Sequence, residues 1–297
     1  MRFSVLGPLL AEADDGTPLE LARPSQRGTL AVLLLCTGQP PTRAQLIDAL
    51  WGDNPPGDAE TALRVRMRDL RRALAGHDRL ITHHSGYRMA VEEGELDTAT
   101  FRELAAQGRV ALDGGNAENA VRLLGMACGL WREPPLDDLP DTPAMRLTES
   151  ALLEQRRDVQ EWLVDARLAL GQHHDVLDQI RLVVTANPLA EHSHVQLMLA
   201  LYRCGQKSAA LAAFTRLREI TTREFGQDPG PEAQALLRQI LADSPDLMFR
   251  ARLAAGSADE GQSRRLPASC PRRHPNPRNT SGQSGRSQRE CRRPSSL

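Results

Sequence analysis

The sequence predicts a mainly α-helical protein: a winged helix-turn-helix with small β-sheets, then a tetratricopeptide-like all-helical domain, then a disordered tail. Three observations carry that expectation. In the first 91 residues, short alternating stretches flank three helical segments and close in a hairpin. From Leu96 to Leu247, glycines and prolines fall between helically periodic stretches, and one helix-turn unit recurs. Beyond Leu247 the large apolar residues nearly vanish.

Taken in order, Arg2 to Leu6 alternates until Gly7-Pro8 breaks it, and Leu9 to Ala13 runs into the turn signal Asp14-Asp15-Gly16. Thr17 to Leu21 is expected to return as a third strand. Gln26 to Cys36 reads as a buried helix, stopped by Thr37-Gly38-Gln39-Pro40-Pro41. Thr42-Arg43-Ala44-Gln45 is a capping box, in which the Thr hydroxyl and Gln amide satisfy free backbone N–H groups. It opens a short helix, Ala44 to Trp51, which the run Gly52 to Gly57 ends. A third helix spans about Asp58 to Ala75. Leu80 to His83 and Tyr87 to Ala90, with a turn near Ser85-Gly86, make the closing hairpin. This order describes a winged helix-turn-helix.

In the middle segment, Leu163 to Gly171 aligns with Leu197 to Gly205, 34 residues later, the tetratricopeptide period. Each copy ends a helix at glycine and is followed by a second helix, Asp175 to Ala186 and Ser208 to Phe225. Gly114-Gly115 to Trp131 reads as another second helix of a pair. The predicted domains are therefore 1–91, 96–247 and a basic Arg/Pro/Ser-rich tail, 249–297, too poor in apolar surface to offset chain entropy.

The net charge of −1 conceals strong segregation. Residues 1–91 hold 11 Arg against 10 acids, and residues 92–249 hold 15 Lys and Arg against 25 acids. Residues 250–297 hold 11 Arg against 3 acids. No apolar run approaches the roughly 18 residues of a membrane span, and no leader pattern opens the chain, so a cytoplasmic location is expected. The 5 cysteines form no CxxC pair, which suggests neither a disulfide framework nor a zinc site. His83-His84, His173-His174 and His192-x-His194 share no helix face, so no metal is expected. No phosphate-cradling glycine motif or catalytic motif occurs, which argues against an enzyme and against a cofactor. Trp51, Trp131 and Trp162 read as packing residues.

Helix 58–75 carries the functional signal. Leu63, Met67, Leu70 and Leu74 make one apolar stripe facing a core. The other faces carry Arg64, Arg66, Arg68, Arg71 and Arg72, with Asp69 the sole acid after Glu60. Such cations repel one another unless an anion meets them, and this is the position of a recognition helix. Arginine suits both guanine edges and phosphates.

Several motifs then carry a resemblance. Val5-Leu6-Gly7-Pro8-Leu9, Leu46-Ile47-Asp48-Ala49-Leu50-Trp51-Gly52, Leu70-Arg71-Arg72-Ala73-Leu74 and Gly86-Tyr87-Arg88 resemble the Streptomyces antibiotic regulatory protein family, whose DNA-binding domain is of the OmpR winged-helix type. Leu96-Asp97, Phe101, Leu130-Trp131, Pro188-Leu189, Leu197 to Arg203 and Asp228-Pro229 look like its bacterial transcriptional activator domain. The resemblance implies an activator of a secondary-metabolite (antibiotic) gene cluster that binds direct repeats in double-stranded DNA and recruits RNA polymerase, with a homodimer on DNA as one arrangement. It implies DNA contacts from Arg27, Arg64, Arg66, Arg68, Asp69, Arg71, Arg72 and, on the wing, Arg88; the loop Asp53, Asn54, Pro55 would face the polymerase. Arg66, Arg68 and Asp69 depart from the aromatic, small polar and Arg residues common at these places, and Ser25 replaces a frequent Lys. Asp69 could accept from cytosine N4 or pair with a neighbouring Arg. The rival expectation is a protein-interaction scaffold whose winged helix has lost DNA binding.

Overall fold

In the computed structural model, residues 1–36, 40–74, 78–134, 136 and 138–248 are described. The expected basic tail, 249–297, and the ends of the two turns at 37–39 and 75–77 lie outside the described residues. Strands β1 (Arg2–Ser4) and β2 (Leu10–Glu12) pair antiparallel, Phe3 opposite Ala11, and bury those two side chains. The expected third strand is absent. Thr17 to Leu21 contributes a single bridge, Glu12 with Pro18, because Pro18 has no N–H to continue the ladder.

Helix α1 (Pro24–Leu35) starts two residues earlier than the sequence suggested, with Pro24 preset for a first turn. Helix α2 (Arg43–Trp51) opens on the expected capping box: Gln45 N–H donates to Thr42 Oγ1 at 3.2 Å, and Thr42 N–H donates to Gln45 Oε1 at 2.9 Å. Helix α3 (Ala59–Ala73) is capped by Asp58, whose carboxylate accepts from Thr61 N–H at 2.9 Å. Strands β3 (Leu80–Thr82) and β4 (Tyr87–Met89) form the wing, with Ile81 opposite Arg88. The stripe Leu63, Met67, Leu70 and Leu74 is fully buried against α1 and α2.

Among the described residues, seven α-helices follow: α4 (Asp97–Asp113), α5 (Ala117–Gly129), α6 (Pro143–Ala169), α7 (His173–Ala186), α8 (Glu191–Arg203), α9 (Lys207–Phe225) and α10 (Pro231–Leu241). The 34-residue repeat is visible in backbone detail. Gly171 and Gly205 both take left-handed φ values, +81° and +75°. In each copy the same reach-back bond closes the helix, Gln172 N–H to Arg167 O at 3.0 Å and Gln206 N–H to Leu201 O at 2.9 Å. Consecutive helices pack against one another, as stacked helix pairs do. Among the described residues, no helix is long and apolar enough to cross a membrane.

The change of architecture near residue 95 is not a break in packing, for residues 1–248 belong to one compact unit. Leu6 leaves the first sheet to pack with Phe101 and Trp131 of the helical part, and Met145 of α6 enters the winged-helix core. Phe101 and Trp131 meet edge to face, ring centroids 5.5 Å apart.

Candidate nucleic-acid interface

Helix α3 lies between the α2 turn and the wing, with its apolar stripe sealed inside. Of its cations, Arg64, Arg68, Arg71 and Arg72 are exposed. Arg72 makes no ion pair among the described residues, and neither does Arg88, which stands exposed between buried Tyr87 and Met89 on the wing. Arg64 donates to Thr61 Oγ1 at 2.6 Å and pairs with Glu60 at 3.8 Å, both on its own helix. Exposed pairs of this kind hold side chains weakly. Asp69 pairs with Arg68 at 3.2 Å and with Arg23 at 3.7 Å.

Other expected contacts are drawn elsewhere. Arg66 is half-buried and stacks over the Trp51 ring, 4.5 Å from its centroid. Burial pulls its guanidinium below the ordinary arginine range. It joins α3 to α2 and leaves the open face. Arg71 reaches sideways to the wing, donating to Thr82 Oγ1 at 2.5 Å and to Leu80 O at 3.2 Å. Arg27 has protein partners of its own. Its guanidinium engages both oxygens of Asp138, at 2.5 and 2.7 Å, and donates to Leu9 O at 3.0 Å. Burial pushes the Asp138 carboxyl up, but the hydrogen bonds from Arg27 and from Leu9 N–H outweigh it and hold the group below its usual range.

The wing tip is fixed by backbone approach. Arg43 N–H donates to Ser85 O at 2.9 Å, and its guanidinium donates to His84 O at 3.1 Å. A Cβ on Gly86 would lie 2.0 Å from Pro41 O, so only glycine fits there. At the other end of α2, Asp53, Asn54 and Pro55 are all exposed. Their loop begins at Gly52, φ +54°, whose absent side chain leaves room for Pro143 at the start of α6. There Thr142 Oγ1 donates to Ala49 O at 2.9 Å in a buried bond between the two halves of the chain.

Sequence reasoning missed the residues of this seam. Val5 and Leu6 N–H groups donate to the two oxygens of Asp97, each at 2.9 Å. Burial raises the Asp97 carboxyl's pKa, while those N–H groups and Arg132 work against the rise. Leu96-Asp97 was visible as a motif without a role, whereas Asp138 lies in irregular chain where no local pattern marks it.

A helix-turn-helix with an arginine-bearing third helix and a hairpin wing, locked to stacked helix pairs, defines a winged-helix transcriptional regulator. The model for the "Transcriptional regulatory protein, C terminal" family matches residues 16–89, and the "Bacterial transcriptional activator domain" model matches residues 96–241. Regulatory protein DnrI of Streptomyces peucetius is 31% identical over 257 residues, covering 83% of this chain and 94% of DnrI. Regulatory protein AfsR of Streptomyces coelicolor is 36% identical over 272 residues, which are 91% of this chain and 27% of AfsR. The chain thus spans about a quarter of the AfsR length. The solved structure of Mycobacterium tuberculosis EmbR in complex with a low-affinity phosphopeptide superposes with a TM-score of 0.76 at 31% identity, covering 84% of this chain and 66% of that one. The chain belongs to the Streptomyces antibiotic regulatory protein family of transcriptional regulators.

Proposed function

We propose that this regulator is a sequence-specific DNA-binding activator of a secondary-metabolite gene cluster. The observation that carries the reading is α3: one face buried to the last leucine, the opposite face holding Arg64, Arg68 and Arg72 in the open. Helix α3 enters the major groove, and Arg88 on the wing reaches the neighbouring minor groove. Arg66 and Arg71, expected in the same set, act here as braces that tie α3 to α2 and to the wing, and Arg27 ties α1 to the chain at Asp138. Two copies sit on direct repeats. The exposed loop Asp53 to Pro55 meets RNA polymerase, supported by its position on the far side of α2 from the wing tip and against α6.

The Asp69 pairings support the scaffold reading, since they neutralise part of the α3 charge. A gel shift with DNA upstream of the neighbouring genes separates the two. The activator reading expects a complex that survives excess unrelated DNA and weakens steeply with salt. A scaffold gives no shift beyond that of unrelated DNA.

Transcription in vitro tests the loop. Asp53→Ala is expected to bind the promoter normally and to activate poorly; full activation by that variant removes the loop from the polymerase contact.

A further inference from the structure

The last turn of α2 is finished by a residue from the other half of the chain. An α-helix leaves its final four carbonyls without partners of its own. In α2, Gly52 N–H closes the ladder on Asp48 O at 2.7 Å, and the chain then turns at Gly52, φ +54°. The next carbonyl, Ala49 O, takes its hydrogen from Thr142 Oγ1 at 2.9 Å, in a buried bond that spans 93 residues of sequence. A Cβ on Gly52 would lie 3.1 Å from Pro143 Cδ and 3.5 Å from Thr142 Cβ, so the turn itself lies against the same two residues. Asp53, Asn54 and Pro55 follow at once and are exposed.

Thr142 serves two helices with one hydroxyl. Its oxygen accepts from Met145 N–H at 3.3 Å as the N-cap of α6, and its hydrogen goes to α2. Capping α6 needs only the acceptor; the donor half of the group acts on α2. The residue is 4% exposed, so a lost hydroxyl leaves Ala49 O with little water to turn to. The α6 side of the contact is firmly held. Met145 is buried in the winged-helix core, while Leu163 and Val164, towards the other end of the same helix, are buried in the helical stack. Helix α6 has 27 residues and is thus a rod of about 40 Å joined to both.

We propose that Thr142 is a positioning residue for activation: it sets the direction in which Asp53, Asn54 and Pro55 leave α2. The inference rests on the reading of that loop as the polymerase contact. Without the Thr142 hydrogen, the buried Ala49 carbonyl needs another donor, and the backbone group in helical register with it is Asp53 N–H. Making that bond carries α2 past Gly52 and turns the loop away from its present exit. Helix α3 keeps its own cap, Asp58 on Thr61 N–H, and its own buried stripe, so the arginines of its open face stay in place.

The test compares Thr142→Val, Thr142→Ser and Asp53→Ala in the full chain, each checked by its melting curve. Promoter affinity is read by gel shift, activation by transcription in vitro, and the loop by the amide NMR signals of Asp53 and Asn54 without DNA. Thr142→Val is expected to bind the promoter within about twofold of the wild type and to activate about fivefold less, the size of one hydrogen bond's contribution. Its Asp53 and Asn54 signals should move, while those of Arg68 and Arg72 should not. Thr142→Ser keeps the hydroxyl and should match the wild type in all three readouts. If Thr142→Val does not fold, Thr142→Asp takes its place, since a carboxylate still caps α6 and has no hydrogen to give Ala49. Full activation by Thr142→Val, unmoved Asp53 and Asn54 signals, or an equal loss in Thr142→Ser would overturn the proposal. So would a loss of promoter affinity as large as the loss of activation. Full activation by Asp53→Ala, with moved loop signals in Thr142→Val, would remove the polymerase contact and leave Thr142 as the residue that sets the loop.

Discussion

The face of α3 and the seam between the winged helix and the helical domain use the same residue type to opposite ends. On α3, Arg64, Arg68 and Arg72 lie in solvent with weak partners on their own helix or none among the described residues. At the seam, Arg27 is held by both oxygens of a carboxylate and by a carbonyl. A guanidinium that finds a partly buried carboxylate becomes structure; one that finds only water keeps its charge for an anion from outside. Counting arginines along a helix cannot separate these fates, because the deciding partner lies far away in the chain. Asp138 is 111 residues from Arg27.

The comparison can be broken most severely at the wing. Gly86→Ala puts a methyl group against the Pro41 carbonyl, where no flexible side chain can yield. The expected cost is about 3 kcal/mol of unfolding free energy, read by urea denaturation, with DNA binding lost through the displaced wing. An unchanged denaturation midpoint would mean that the approach at Gly86 does not fix the wing.

The seam comes next. Asp97→Ala strips two backbone N–H groups of their acceptor and is expected to cost about 2 kcal/mol, while the folded protein binds DNA as before. A loss of affinity without a loss of stability would show that the seam sets the angle of α3 and does more than hold the halves together.

A smaller effect is expected at His192, whose hydrogen bond with Asp165 at 3.0 Å raises its pKa to about 9 against the burial penalty. Because the folded value exceeds the ordinary value of about 6.5, the stabilisation is complete below that pH and is lost as pH rises towards about 9. The Tm gap between the wild type and His192→Gln should be widest near pH 6 and close by about pH 9.5. The ring is 37% exposed, so solvent screening keeps the gap small. A gap that grows with pH would contradict the assignment.

The least costly change is Asp69→Ala. Its pairs with Arg23 and Arg68 are largely exposed on the arginine side, so stability should move by no more than about 0.5 kcal/mol. Freeing two cations beside the proposed DNA face should strengthen binding to unrelated DNA and narrow the ratio between promoter and non-specific sites, measured by competition.

Much of this was readable in the sequence where the physics is local. The Thr42–Gln45 capping box, the Leu63 to Leu74 stripe and the glycine stops at 171 and 205 depend on neighbours within a turn or two. Thr17 to Leu21 has strand-like composition, but Pro18 limits its pairing to one bridge. Of the candidate interface, the recognition helix and the wing were legible from pattern. The bracing roles of Arg27, Arg66 and Arg71 were not, since each depends on a partner brought near only by tertiary packing.

The central claim is that α3's open face meets DNA while the braced arginines only support it. The most direct measurement is promoter binding across a salt series for Arg68→Ala, Arg72→Ala and Arg27→Ala, each checked for folding. The open-face variants should each lose affinity and lower the slope of log K against log salt by about 0.9 per phosphate contact removed. Arg27→Ala should melt earlier yet keep the wild-type slope. Wild-type slopes in both open-face variants, or a reduced slope in Arg27→Ala alone, would contradict the account.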